Sequence, residues 1–385
     1  MFNNLNLNIK NYVEDSPKFE KLDWWDLPDS VNLSLNRFPK DVKKLGNFVT
    51  VRRLKNSNQK ENITKNITHI KKETFGNKRF KIKFPILLNN KEYACLYALM
   101  ISEGSHRTEF SLNVPEEEFH LLFKDCIKNL ISEDAMNFIK CDYNKGVLRS
   151  RSPARVRYLI PIPPKIPFII LNNKDLARDY LKIAFEAEGS PIFNKKQHKR
   201  YIKLSRYVDI TSFITKENLP LKKRLYWGTI KKEYPVLFER IKNYPPKILE
   251  GEQILLKIHF DIDSKLQLEA IRNNKTGLRC GKIAARWVLL IYANNIDKFI
   301  KEISFISERK ADKLKEMSKI RGNRPQYYTL NLVKKISDAK GYFYRRDFVK
   351  EMNKLGYKNP SCYLWRYYNN GIIERIKKGY YKILF

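Results

Sequence analysis

The sequence has few of the residues that build disulfide frameworks, zinc sites or histidine-based nuclease sites. Only five cysteines and five histidines occur among its 385 residues. The cysteines are scattered and form no CxxC pair; they stand at Cys95, Cys126, Cys141, Cys280 and Cys362. This pattern predicts a reduced, cytoplasmic protein without a structural zinc site, and it indicates neither a zinc hydrolase nor a His-Asn-His nuclease.

Long apolar runs and a signal peptide are also missing from the sequence. No apolar run approaches the roughly 18 residues that a membrane-spanning helix needs. The first ten residues, MFNNLNLNIK, lack the charged-then-apolar order of a signal peptide. We therefore expect a protein with no membrane segment.

Acidic residues are greatly outnumbered by basic ones. The chain has 76 lysines and arginines against 41 acidic residues, which gives a net charge of +35. Such an excess predicts a polyanionic partner, and nucleic acid fits better than a membrane surface. The hydrophobic fraction of 43% is that of a globular protein, and the length predicts more than one domain.

An apolar, small-residue helix that ends in Glu-Gly-Ser occurs twice. The two copies are LYALMISEGS at 96–105 and LKIAFEAEGS at 181–190. Each carboxylate, Glu103 and Glu188, would lie at the negative end of a helix dipole, where a cation is favoured. The repetition predicts a compensating positive charge, most simply a divalent cation with oxygen ligands. We expect Gly104 and Gly189 to end the helices by entering the left-handed region.

The two copies resemble the LAGLIDADG motif of the homing endonuclease family. The second is the closer match, because the first has Ile101 and Ser102 before its glutamate. The resemblance implies an α+β fold of two tandem, pseudo-symmetric αββαββα repeats that form a DNA-binding saddle. It further implies that Glu103 and Glu188 are catalytic and bind Mg²⁺ or Mn²⁺, with Gly104 and Gly189 at the same metal site.

The patterns between the motifs support this repeated layout. In the first half, we predict a strand near 107–114, a helix at 116–131, strands at 147–152 and 155–160, and a proline-rich linker at 161–167. In the second half, we predict strands at 201–207, 255–262 and 286–292 and a helix at 295–305. The run Arg309–Leu314 resembles the family's closing element. The predicted divisions are a basic N-terminal extension at 1–84 with strands at 48–54 and 79–84, repeats at 85–175 and 176–320, and a last domain at 325–385.

The last domain resembles a winged helix-turn-helix, because three predicted helices are followed by a hairpin. Its residues 326–385 include thirteen basic and four acidic side chains, which favours DNA contact. Tyr363, Arg366 and Tyr367 would lie on the recognition helix, and Lys377 and Lys378 at the tip of the wing. A small protein-interaction module with the same topology is the alternative.

Basic and polar residues in the two repeats are candidates for binding phosphates and reading bases. They are His106, Arg107, Lys195, Lys196, Lys199, Arg200, Lys203, Lys257, Arg272 and Lys275. Lys257 or Lys275 is also a candidate for stabilising the transition state, and the spacing does not choose between them.

Three functions fit these patterns. The first is a site-specific endonuclease for double-stranded DNA, acting as a monomer with internal pseudo-two-fold symmetry. The second is a non-cleaving transcription regulator that joins a LAGLIDADG fold to a helix-turn-helix. The third is an RNA-splicing maturase that uses the same basic saddle on structured RNA. Both retained acids favour the nuclease, and the added C-terminal domain favours the regulator.

Overall fold

The computed structural model describes most of the chain, with gaps. The described residues are 7–22, 26, 32–35, 48–50, 69–74, 78–83, 85–106, 109–144, 146–194, 199–214, 224–273, 282–319, 325–354 and 360–384. The predictions for Arg107, Lys195, Lys196 and Lys275 lie outside these residues. No helix in the described ranges is long and apolar enough to cross a membrane.

The N-terminal segment contributes one helix and several short strands. These are α1 (Leu7–Glu14), β1 (Lys21–Leu22), β2 (Asn32–Leu35), β3 (Phe48–Thr50), β4 (His69–Thr74), β5 (Lys78–Lys83) and β6 (Ile86–Leu87). Strands β2 to β5 form an antiparallel sheet in the order β3-β2-β4-β5, and β1 pairs with β6. The buried Tyr12 of α1 donates its hydroxyl to the carbonyl of Lys247 at 2.8 Å. This first helix is therefore packed on the main body.

The first half follows the predicted order of helix, strands, helix and strands, although one of its strands was not predicted. It comprises α2 (Lys91–Ser102), β7 (Gly104–Ser105), β8 (Ser111–Asn113), α3 (Glu117–Leu130), α4 (Glu133–Asn137), β9 (Lys140–Asn144), β10 (Val147–Arg151) and α5 (Phe168–Asn172). The predicted strand at 155–160 is wrong, because Ala154–Tyr158 forms a 3₁₀ helix. The sheet order is β7-β8-β10-β9.

The second half repeats the plan with additions. It comprises α6 (Lys174–Glu188), β11 (Gly189–Asn194), β12 (Lys199–Asp209), β13 (Arg224–Tyr226), α7 (Trp227–Glu233), α8 (Pro235–Ile241), α9 (Lys247–Phe260), β14 (Ser264–Asn273), β15 (Ile283–Tyr292), α10 (Ile296–Glu302) and α11 (Glu308–Lys319). Its sheet order is β11-β12-β15-β14-β13. When β13, which extends the second sheet at its edge, is set aside, the first, second, fourth and third strands of each half are neighbours in that order. The predicted α+β class and internal pseudo-symmetry are confirmed.

The predicted strand at 255–262 is wrong, because residues 255–260 belong to helix α9. Leu256, Ile258 and Phe260 alternate as in a strand, but this short window lies inside a longer helical pattern. Ile248, Leu255, Leu256 and Phe260 are buried at helical spacing. The helix ends at Phe260, and the next residue, Asp261, has a left-handed backbone with φ 48°.

The two halves share one hydrophobic core, with α2 and α6 packed against each other inside it. Tyr97 of α2 and Tyr180 of α6 are buried, and their ring centroids lie 5.6 Å apart. Phe185 of α6 packs edge-on against Phe299 of α10 at 4.8 Å. Since the motif helices are at the centre of the core, their C-terminal ends are fixed relative to both sheets.

The C-terminal residues form a small domain with its own core. Its elements are α12 (Pro325–Ile336), β16 (Tyr342–Tyr344), α13 (Arg345–Lys354), α14 (Ser361–Asn369), β17 (Ile373–Lys377) and β18 (Tyr380–Ile383). The sheet order is β16-β18-β17. The predicted three helices and hairpin are therefore present, and β16 is an additional strand. Tyr367 is fully buried in this core, so its predicted contact with DNA is wrong.

Candidate functional site

The two motif helices end at neighbouring carboxylates. Asparagine side chains cap their N-termini, Asn90 on α2 and Asn173 on α6. Glu188 is the last residue of α6, and Glu103 follows the end of α2 with its amide donating to the carbonyl of Leu99 at 2.9 Å. The two acids are close enough that the charge of Glu188 contributes to raising the pKa of Glu103. The fold therefore brings the two predicted acids together.

The glycines after these acids are needed for close approach and not for a left-handed backbone. Gly189 is extended, with φ −86° and ψ 151°, and Gly104 also lies outside the left-handed region. The expectation that these glycines end the helices in the left-handed backbone region is therefore wrong. A Cβ on Gly104 would lie 2.7 Å from Cα of Met100, and one on Gly189 would lie 2.3 Å from the carbonyl oxygen of Phe185. Because these glycines have no side chain, Gly104 can begin β7 and Gly189 can begin β11 immediately after the motif helices end.

Both carboxyl groups are harder to ionise than usual. Burial, followed by the charges of Glu188 and Glu116, raises the pKa of Glu103 to about 7, although Arg206 and Lys310 oppose the shift. Burial also raises the pKa of Glu188, with Arg206 the main opposing charge. The nearby cations therefore do not fully offset the cost of burying these two carboxylates in the charged form.

A buried arginine near the two acids was not among the residues predicted from the sequence. Arg206 lies on the face of β12 that enters the core, and its Nη2 is 2.5 Å from Oε1 of the fully buried Glu252. Its Nη1 donates to Oγ of Ser102 at 3.0 Å. Tyr180 donates its hydroxyl to the same Glu252 oxygen at 2.9 Å. This network connects the second sheet and α9 to the end of the first motif helix.

The predicted closing element contacts the second motif helix. Glu186 accepts hydrogen bonds from the amides of Ile306 at 2.7 Å and Ser307 at 3.2 Å. Lys310 of α11 donates to the carbonyl oxygen of Glu186 and lies 3.6 Å from its carboxylate. The Arg309–Leu314 run thus provides a cation at the C-terminal end of α6.

The two carboxylates fit an open cation site better than a closed one. Among the residues that the structure describes, no group of three or more His, Cys, Asp or Glu side chains is arranged to hold a metal ion. Mg²⁺ is usually held by one or two carboxylates, with water and substrate phosphate oxygens completing the shell. The neighbouring carboxylates of Glu103 and Glu188 are compatible with such an ion, whereas a role for Gly104 or Gly189 stays a prediction.

Basic side chains surround one acid on the outer face of the second sheet. Lys203 of β12 forms an ion pair with Glu269 of β14. Arg286 Nε lies 3.2 Å and Arg224 Nη2 lies 4.0 Å from the Oε2 of Glu269. Arg286 also donates to Ser205 Oγ at 3.1 Å. Lys203 is on the predicted face, and Arg224 and Arg286 are additional cations there.

Aromatic and basic residues continue this outer face. The guanidinium of Arg272 lies 5.4 Å from the ring centroid of Tyr207, and that of Arg286 lies 5.7 Å from the same ring. The first half has a comparable pair of cations on β10. There, Arg149 lies 3.7 Å from Glu109, and Arg151 lies 2.5 Å from Asp142. Neither arginine was among the predicted DNA-binding residues.

Two other predicted DNA-binding residues, Arg200 and Lys257, have partners within the protein. Arg200 donates to the carbonyl of Met317 at 2.6 Å, which ties β12 to α11. Lys257 lies on helix α9 and pairs with Asp261 at 3.0 Å and Asp263 at 2.8 Å. Its prediction as a strand residue is therefore wrong, and its contact with DNA stays a prediction.

The remaining predicted side chains differ in exposure. His106 is exposed just after β7, and Lys199 begins β12. In the small domain, Arg366 is exposed and lies 5.8 Å from the ring centroid of the half-buried Tyr363. Lys377 and Lys378 are exposed at the turn between β17 and β18. All of these residues stay predictions as DNA contacts.

Comparison with solved structures identifies two kinds of similar protein, whereas no family model and no curated protein matches the chain. Full-length DUF199/WhiA from Thermatoga maritima is 13% identical, with 64% of this chain and 66% of that chain covered and a TM-score of 0.32. The N-terminal LAGLIDADG domain of DUF199/WhiA is also 13% identical, with 58% and 88% covered and a TM-score of 0.30. I-DmoI in complex with DNA and Mn is 16% identical, with 55% and 96% covered and a TM-score of 0.29. These neighbours are LAGLIDADG proteins, the family that the two motifs resemble.

Proposed function

We propose that this chain binds double-stranded DNA and hydrolyses its phosphodiester bonds at Glu103 and Glu188. The observation that carries the proposal is the pairing of these acids at the ends of two packed helices, where burial raises both pKa values. Each half contributes one acid, which suits the cleavage of two antiparallel strands. Because both halves are in one chain, a monomer would be the functional unit.

The outer faces of the two sheets support DNA binding. Arg149 and Arg151 lie on the first sheet, and Lys203, Arg224 and Arg286 lie on the second. Antiparallel strands can enter the major groove, where side chains read base edges while other cations bind phosphates. The net charge of +35 would add a strong non-specific attraction to the backbone.

The residues around the acids support hydrolysis. Glu103 and Glu188 would hold Mg²⁺ or Mn²⁺ together with DNA phosphate oxygens. When bound, such an ion would activate water and stabilise the leaving oxygen. Arg206 would keep the first helix end in position through Ser102. Lys310 would hold the end of the second helix through Glu186.

The test uses the purified full chain and a duplex that carries the genomic sequence flanking its gene. We expect nicking or cutting with Mg²⁺ and none in EDTA. Glu188→Gln should abolish cutting and leave binding intact, because it removes an acid while keeping the size of the side chain. Glu239→Gln, a change of an exposed acid on α8, is the matched control and should cut normally. Cutting by Glu188→Gln at the normal rate would refute the catalytic assignment.

A non-cleaving DNA-binding regulator is the second candidate, favoured by the small domain with its own core. Arg206 also supplies a permanent positive charge beside the acids. Tight, metal-independent binding without cleavage of any candidate site would support this function. An intron location of the gene would favour the nuclease, and a promoter-linked standalone gene would favour the regulator.

A further inference from the structure

One acid on the outer face of the second sheet is shared by three cations. Glu269 is paired with Lys203 from β12, Arg224 from β13 and Arg286 from β15. The three cations come from three strands, so the carboxylate gathers charges that are distant in sequence. Together the four side chains have a net charge of +2. We refer to them as the Glu269 cluster.

The side chains of the Glu269 cluster are partly buried. Its side chains are between 16% and 33% exposed, so their mutual attraction is stronger than between fully exposed groups. Glu269 lies where the pairing of β14 with β15 shifts between Leu268 and Ala270. Such an irregularity commonly redirects a side chain. The local strand geometry therefore supports the central position of Glu269.

We propose that Glu269 competes with DNA phosphates for these three cations and so limits non-specific binding. The proposal rests on the proposed DNA binding and is independent of hydrolysis. Any duplex that uses Lys203, Arg224 or Arg286 must displace the carboxylate from them. Non-specific DNA offers mainly phosphates in return, whereas a correct target also offers base contacts. Glu269 therefore weakens the electrostatic attraction on which non-specific binding depends.

The test measures binding of the full chain to a short duplex of arbitrary sequence in EDTA, over a series of salt concentrations. Glu269→Gln removes the competing charge and preserves the size of the side chain. We expect about fivefold tighter non-specific binding at low salt, which is the effect of roughly one unit charge near a phosphate in water. The slope of log K against log salt should become steeper by about 1.

The matched control is Glu239→Gln, which makes the same charge change on α8, where Glu239 pairs with Lys242 one turn away. It should bind within about twofold of the wild type, because exposed pairs of this kind have little influence. The double variant Glu269→Gln/Lys203→Gln restores the net charge of the cluster. Its non-specific affinity should return toward that of the wild type. Thermal melting of each variant verifies that it is folded.

Two results would overturn the proposal while leaving DNA binding intact. The first is that Glu269→Gln binds no tighter than Glu239→Gln. The second is weaker binding by Glu269→Gln, which would assign Glu269 to organising the cations or to reading a base such as cytosine. If the wild-type chain binds no duplex at all, the DNA-binding proposal fails, and the competing role of Glu269 fails with it.

Discussion

Arg206 Nη2 lies 2.5 Å from Glu252 Oε1 inside the shared core, where the two side chains are 6% and 0% exposed. The pair joins strand β12 to helix α9, and its arginine also binds Ser102 at the end of the first motif helix. A guanidinium stays charged at any physiological pH. The protein therefore carries a fixed cation beside Glu103 and Glu188, held by an acid that is remote in sequence.

Breaking this pair should strongly destabilise the main body. Arg206→Met leaves Glu252 buried without its partner, and we expect a loss of about 3–5 kcal/mol in the free energy of unfolding. Arg206→Met/Glu252→Leu removes both charges and should recover most of that loss, because apolar residues can replace a buried pair. Chemical denaturation of the three proteins measures the difference. A double variant no more stable than Arg206→Met would contradict the electrostatic explanation.

Gly189→Ala should destabilise the junction between α6 and β11. The new Cβ would lie 2.3 Å from the carbonyl oxygen of Phe185, so the backbone must shift, at a cost of about 1–3 kcal/mol. Gly228→Ala is the matched control, because a Cβ there has nothing within 4 Å and lies on helix α7. That change should be neutral or stabilising by up to about 1 kcal/mol. Equal melting temperatures for the two variants would contradict the close-approach explanation.

His259 should make the main body less stable in mild acid. Burial lowers the pKa of this imidazole, and the hydrogen bond to the carbonyl of Leu171 at 2.8 Å opposes the shift only in part. Since the unfolded chain takes up the proton more readily, stability is present above the ordinary pKa of about 6.5 and is lost as pH falls below it. His259→Gln should reduce the difference in melting temperature between pH 8 and pH 5.5. The same difference in both proteins would refute the prediction.

Deleting residues 325–385 should leave the main body folded. In the described residues, the small domain and the main body have separate hydrophobic cores. We expect calorimetry to show a main-body transition shifted by less than about 2 °C, equivalent to under roughly 1 kcal/mol. A larger downward shift would mean that the small domain stabilises the body.

Local patterns predicted many of the elements but not all of their boundaries. The helix predicted at 116–131 is α3, and the strand at 201–207 lies within β12 with Lys203 and Ser205 on one face. The prediction failed at 255–262, because the alternation of a few residues there is part of a longer helical pattern. It failed again at 155–160, where a 3₁₀ helix replaces a strand.

The site was only partly predictable, because its partners come from distant parts of the chain. Glu103 and Glu188 stand in repeated motifs and could be paired by that repetition alone. Arg206 and Glu252 are 46 positions apart, on a strand and a helix. The one available signal was an arginine at an inward position of an alternating strand. No local spacing links Glu269 to its three cations either.

The sequence by itself determined the two motif helices, the acids at their ends and the basic character of the molecule, because these depend on local residue patterns and composition. Only the tertiary structure decided which cations face those acids, why the glycines are required and which basic residues already have acidic partners. The physical reason is that charge pairing and close approach depend on distances between elements that the chain order does not specify.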